Sequence, residues 1–221
     1  MNIQPFTYSI VTLIACFVFS DVMQAQTVRT QDRYNDRREI PEFGIRAGIN
    51  YSNVWDDQDQ EFVSDSRIGF AGGVFVSAPI GLYFGIQPEA IFSQKGYERD
   101  GSIAGEDYSF RRSASYIDIP VQLQVKPSPS LTILAGPHYS VLVHDDWEYN
   151  FETAGVEIDD LEAGDIRNNL FGLGGGLDIN FGQAVLSARA GWDLLSNEGD
   201  GETEEPRYKN RWLQFTLGVR F

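Results

Sequence analysis

The chain has 221 residues, with 17 Lys and Arg against 32 Asp and Glu and a formal net charge of -15. That balance excludes nucleic acid as a partner, because phosphate backbones are held by a basic footprint. A single cysteine excludes an internal disulfide, while 22 glycines and 13% aromatics point to a β-rich chain with many turns.

Residues 1–25 read as a signal peptide, with cleavage expected after Ala25. The apolar core within YSIVTLIACFVFSDVMQAQ is about ten residues, too short for a membrane-spanning helix. LIAC offers an alternative, a lipoprotein site with Cys16 as the lipid-bearing residue, against which the apolar run continues through Phe17, Val18 and Phe19. Residues 26–41 are polar and aperiodic, and a flexible periplasmic segment is expected there. No later stretch has the apolar length of a transmembrane helix.

From residue 42 to 221 the hydrophobic period is two, and eight strands are predicted. The first places Phe43, Ile45, Ala47, Ile49 and Tyr51 on one face. The second places Phe70, Val74 and Val76 there, and the third Leu82, Phe84, Ile86, Pro88, Ala90 and Phe92. In YIDIPVQLQVK, Ile117, Ile119, Val121, Leu123 and Val125 oppose Tyr116, Asp118, Pro120, Gln122, Gln124 and Lys126. The fifth strand carries Leu131, Ile133, Ala135, Pro137, Tyr139, Val141 and Val143. The sixth carries Phe171, Leu173, Leu177, Ile179 and Phe181, and the seventh Leu186, Ala188, Ala190, Trp192 and Leu194. The eighth ends the sequence as LQFTLGVRF. Short turns, APIG, PSPS and GQ, join strands two to three, four to five and six to seven. The other connections are long and polar: DDQDQEFVSDSR, KGYERDGSIAGEDYSFRRS, HDDWEYNFETAGVEIDDLEAGDIR and SNEGDGETEEPRYKNR.

Sorting of loops by length between two ends is the pattern of an outer-membrane barrel. The apolar face carries no charge on any predicted strand, which lipid requires and water does not. The expected fold is therefore all-β: an eight-stranded antiparallel up-and-down transmembrane barrel with four long extracellular loops and short periplasmic turns. A β-sandwich and a soluble lipocalin-like barrel are the rivals. The opposite face is small and polar, with interior charges Arg46, Glu89, Asp118, Asp178, Arg189, Asp193 and Arg220 able to pair across a lumen. Phe75, Tyr83, Tyr116, Ile91, Leu134 and Leu142 are expected to point inward and obstruct a pore. Tyr51, Phe70, Phe92, Tyr139, Phe171 and Trp192 should form one interfacial girdle, and Phe43, Phe84, Phe181 and Phe221 the other. Pro88, Pro120 and Pro137 sit inside strands, and the sequence leaves their fit open, local bulges being one way to accommodate them.

GIQPEAIFSQKG, YIDIPVQLQVKP, LTILAGPHYSVLV, FGLGGGLDINFG and NRWLQFTLGVRF together resemble the PorT-like outer-membrane β-barrel family of Bacteroidetes, from about Phe43 to Phe221. The resemblance implies an eight-stranded outer-membrane barrel. Its founding member is implicated in protein export through the type IX system. The family has no catalytic signature to transfer. The alternating Phe215, Leu217, Val219 and Phe221 also resemble the C-terminal signal read by barrel-assembly machinery.

Two motifs invite chemistry. His138 and Ser140 form a His-x-Ser pair like that of lipid A deacylases, but strand parity turns both into the barrel. His144, Asp145 and Asp146, with the acidic third and fourth loops, suggest calcium, although no EF-hand spacing is present. Solvated charge is the ordinary reading of such loops. No cofactor and no catalytic or metal-ligating residue is assigned. The expected protein is a monomeric, non-enzymatic barrel in contact with outer-membrane lipid, lipopolysaccharide and the assembly machinery. It would serve as an accessory in envelope biogenesis or protein export, with envelope or secretion proteins as partners. The alternatives are a surface adhesion or ligand-binding barrel acting through its loops and, further off, a lipid-modifying enzyme.

Overall fold

Alternating side chains with one wholly apolar face are stable only where both faces are satisfied and no ladder edge is left open. The computed structural model, which describes residues 36–56, 65–103, 106–151, 167–195 and 208–221, meets that condition by closing on itself. Its strands are β1 (Glu42–Asp56), β2 (Asp65–Pro79), β3 (Phe84–Ile103), β4 (Glu106–Ser128), β5 (Leu131–Phe151), β6 (Asn169–Phe181), β7 (Ala184–Asp193) and β8 (Tyr208–Arg220). They form a closed eight-stranded barrel in sequence order, each pair antiparallel. Closure is made by β1 and β8, in register from Gly44↔Arg220 to Asp56↔Tyr208. The seam is extended by one bond, in which the Phe221 amide donates to the Phe43 carbonyl at 2.8 Å.

Short connections lie at one end, between β2 and β3, β4 and β5, and β6 and β7. Gly182 turns the last of them at φ 62°, a left-handed conformation that costs glycine little. The outward face is apolar around the barrel, including Ile45, Ile49, Val74, Val121, Leu123, Ile133, Leu173, Leu186, Leu213 and Leu217. Phe43 and Tyr51 bracket this band on β1. Eight residues of tilted strand rise about 20 Å, close to the height of a lipid-facing apolar band.

Two expectations are corrected. First, much of the second long loop is strand. Residues 95–103 extend β3 and 106–113 belong to β4, paired out to Ile103↔Glu106, and β5 follows β4 up to Tyr108↔Phe151. Apolar alternation is needed only where lipid touches the sheet. Above it, cross-strand ion pairs serve instead: Glu98–Arg111 at 3.0 Å and Arg112–Asp145 at 2.6 Å. Second, Tyr83 is not an interior residue. It lies in the turn before β3 and is 52% exposed, with the Arg38 guanidinium 5.4 Å from its ring centre. The prolines, whose fit the sequence leaves open, sit in an unshifted register rather than in bulges. Pairing runs Pro88↔Val121 then Ile91↔Asp118, and Pro120↔His138 then Leu123↔Ala135, so the ladder skips pairs without changing frame. A bulge does occur above them, where Ser115↔His144 follows Tyr116↔Leu142. It leaves Val143 and His144 both exposed.

The expected signal peptide and the segment up to residue 35 lie outside the described residues. Residues 36–41 are docked at the short-turn mouth: Arg38 donates to the Lys126 carbonyl at 3.3 Å, and Lys126 Nζ returns a bond to the Arg38 carbonyl at 3.2 Å.

Candidate functional site

Inward positions on all eight strands converge, so the lumen is where sequence-distant polar residues meet. It is built in layers along the barrel axis. The middle layer holds Arg46 on β1, Glu89 on β3, Asp178 on β6 and Arg189 on β7, all buried. Arg189 donates to Glu89 at 2.6 Å and to both oxygens of Asp178 at 3.0 and 3.2 Å, and also bonds Gln122. Arg46 lies 3.7 Å from Glu89 and 3.6 Å from Asp178, with its guanidinium 4.2 Å from the centre of the Phe75 ring. Two cations thus meet two carboxylates in a space with almost no water, the condition under which buried charge is tolerated. Gln87 extends the layer by donating to Glu89 at 2.8 Å and accepting from Gln124.

The layer nearer the long-loop end holds Lys95, Asp118, Asp193 and His138. Lys95 Nζ donates to Asp118 at 3.0 Å and to the Ser140 hydroxyl at 3.3 Å, and Ser93 donates to Asp118 at 2.5 Å. His138 Nε2 pairs with Asp193 at 2.9 Å, while Asn210 donates to the other Asp193 oxygen at 2.8 Å. The imidazole meets Trp212 edge-on, with ring centres 5.7 Å apart. Above this layer Ala114, Tyr116 and Leu170 are buried against Leu142 and form an apolar cap.

Between the two charged layers a cavity of about 20 Å³ remains, lined by Glu89, Asp118, His138, Arg189, Trp212 and Gln214. It has room for about one water molecule. Packing of this density makes the lumen a core rather than a passage.

The structure also separates the motifs that suggested chemistry. His138 and Ser140 both face the sealed lumen, but His138 is engaged by Asp193 and Ser140 by Lys95. A nucleophile would need the imidazole on the serine hydroxyl and access for lipid. His144 pairs with Asp146 at 3.1 Å on the exposed side, whereas Asp145 turns to Arg112. Among the described residues no group of three ligating side chains converges on a point. The acidic stretches at 152–166 and 196–207 lie outside the described residues.

Of the predicted interior charges, Arg46, Glu89, Asp118, Asp178, Arg189 and Asp193 are buried. Arg220 lies at the short-turn mouth, donating to Glu42 at 2.8 Å. Phe43, Tyr51, Phe70, Phe84, Tyr139, Phe171, Phe181, Trp192 and Phe221 are exposed on the outer face. Phe92 is half-buried with its ring 6.4 Å from that of Phe70. Phe43 and Phe221 stack at 6.4 Å. Two interior residues escaped sequence reasoning, and a third was placed only in part. Lys95 shares the parity of Glu89, Ile91 and Ser93, which would have revealed it had the strand been extended. Lys126 was visible by parity on β4, but not its place at the mouth. Trp212 has the parity of Gln214 and Thr216, yet as an aromatic it carries no polar signal.

A closed eight-stranded antiparallel barrel, apolar outside and charged inside, defines an integral outer-membrane barrel. A family model described as "Outer membrane protein beta-barrel domain" matches residues 24–195, and the chain belongs to that family. The protein is accordingly an outer-membrane protein. The chain is similar in structure to Ail, the attachment invasion locus protein of Yersinia pestis, at 15% identity and a TM-score of 0.42, covering 81% of this chain and 98% of that one. Neisserial surface protein A aligns at 11% identity and TM-score 0.41 over 81% and 97% of the two chains. OprG from Pseudomonas aeruginosa aligns at 13% and 0.39 over 83% and 97%. No curated protein matches the chain.

Proposed function

We propose that this protein is a non-enzymatic binding barrel whose work is done at its ends rather than through its lumen. The observation that carries this reading is the filled interior: every charged side chain of the middle layer is already paired, and the cavity there is about 20 Å³. With transport and lumenal catalysis disfavoured, the exposed ends remain. The long-loop end offers the larger surface, since β4 continues from Ile119, opposite Tyr139 in the girdle, to Glu106. Thirteen further residues rise on the order of 30 Å above the apolar band. A paired three-stranded extension of β3, β4 and β5 suits surface adhesion or ligand binding. Lipid and lipopolysaccharide would contact the apolar band and its girdles, and the chain would function as a monomer.

The second reading is an accessory role in envelope biogenesis or protein export, supported by the PorT-like pattern of QPE, IPV and AGP elements. The two are separated by replacing residues 97–111 with a short turn. A surface-binding barrel loses adhesion of whole cells while its secreted proteins stay unchanged. An export accessory that needs only its barrel keeps secretion in the truncated strain and loses it on full deletion. Unchanged adhesion and unchanged secretion in the full deletion would sink both readings. Altered lipid A in that strain would revive a lipid-modifying enzyme.

A further inference from the structure

The short-turn mouth holds a second cluster, separate from the lumenal layers and from the extracellular surface. A pocket of about 170 Å³ opens there, and among its lining are Arg37, Arg38, Lys126, Arg220 and Glu42. In a chain of net charge -15, four cations converge on one small volume. Two carboxylates answer them. Glu42 is shared between Arg37 at 2.8 Å and Arg220 at 2.8 Å, and Asp36 is taken by Arg38 through contacts of 2.6 to 3.1 Å. Among the described residues Lys126 has no carboxylate partner. It is buried, with 3% of its surface exposed, and its ammonium donates only to the Ser77 hydroxyl at 3.2 Å and the Arg38 carbonyl at 3.2 Å.

A lysine ammonium has three N–H donors and a guanidinium five. Lys126 therefore keeps one donor beyond its two neutral acceptors. Arg220 makes a single bond, from Nη1 to Glu42, and its Nε is buried without a partner. Buried cationic donors without acceptors carry a desolvation cost that an anion in the pocket would remove. The donors come from different elements: the 36–41 segment, β4 and β8. Donors arriving from several directions suit a tetrahedral oxyanion with several acceptor oxygens better than a planar carboxylate.

We infer that the periplasmic mouth is a binding site for a phosphate group, held by Lys126 and Arg220 with Arg37 and Arg38 at the rim. The group would come either from a free phosphate compound or from a phospholipid headgroup of the inner leaflet.

The test uses the full chain folded in a phosphate-free maltoside detergent, titrated by calorimetry with three probes. These are inorganic phosphate, short-chain phosphatidic acid and sodium acetate at matched ionic strength. Saturable binding of inorganic phosphate is expected if the free group is recognised, and of phosphatidic acid alone if the source is lipid. Lys126→Gln should weaken the binding by at least tenfold while keeping the heat-dependent gel mobility of a folded barrel. Arg37→Gln, on a half-exposed rim side chain, carries the same test should Lys126→Gln fail to fold, with a smaller loss of about threefold expected. Absence of saturation with both phosphate probes overturns the site. So does acetate binding as tightly as phosphate, or unaltered phosphate affinity in a folded variant.

Discussion

Replacing Arg189 by Gln tests whether the barrel depends on its middle charge layer. Arg46 and Arg189 stand against Glu89 and Asp178, so the layer is neutral as built. Arg189→Gln removes the closer cation, whose contacts to the two carboxylates are 2.6 to 3.2 Å. It leaves both to Arg46 at 3.7 and 3.6 Å. One negative charge is then uncompensated in a space nearly closed to water. Breaking a buried pair by deleting one partner costs about 3–5 kcal/mol, and the long residual Arg46 contacts give little relief. The double variant Arg189→Gln, Glu89→Gln restores neutrality, with Arg46 facing Asp178 and amides replacing the other pair. It should recover more than half of the loss. Urea unfolding in lipid vesicles, followed by tryptophan emission, measures both. A single variant within about 1 kcal/mol of the parent, or a double variant no more stable than the single, refutes the reasoning.

Other expectations concern the wall and the ends. Leu217, 69% exposed and paired with Ala47 midway between Phe43 and Tyr51, should cost about 2–4 kcal/mol when changed to Arg, read by the same unfolding assay. A side chain at Gly191 would overlap the Trp212 ring, which is already fixed against His138. Gly191→Ala should therefore destabilise by about 1–3 kcal/mol and shift tryptophan emission. Phe221→Ser removes the ring stacked on Phe43. If the terminal aromatic also serves as an assembly signal, the fraction of heat-modifiable barrel in cells should fall further than refolding yield does in vitro. The Arg38 guanidinium beside Asp36 holds its carboxyl below its ordinary value of 3.8. The docking of residues 36–41 should thus be fully stabilised above that value and loosen as pH falls through the lower folded one. Pepsin cleavage in this segment should rise as pH falls through that range, and Asp36→Asn should remove this pH dependence.

The wall was legible in the sequence because lipid imposes a strict rule. Ile117, Ile119, Val121, Leu123 and Val125 must all face outward, so period two fixes strand and face together. The rule lapses above the lipid. Glu98, Arg111, Arg112 and Asp145 hold strands together through ion pairs, and in a linear reading they look like loop residues. Lys95 was lost with them. The interior was legible as a set of charges but not as a set of pairs. Arg189 finds Asp178 on the adjoining strand, yet finds Glu89 100 positions away. Which charges meet across a lumen depends on how far the strands are staggered at closure, and alternation carries no record of that. The mouth cluster was hidden for a related reason. Lys126, Arg220 and the 36–41 segment are brought together only by the completed circle.

The unequal strands give the protein a front and a back within the membrane plane. β4 runs for 23 residues and β7 for 10, so among the described residues the strands reach furthest at β3 to β5 and least at β6 and β7. A neighbour diffusing in the same leaflet meets the long strands β3 to β5 from one bearing and the short strands β6 and β7 from the other. Crowding would therefore orient this barrel rather than merely confine it, and any lateral contact it makes should have a compass direction.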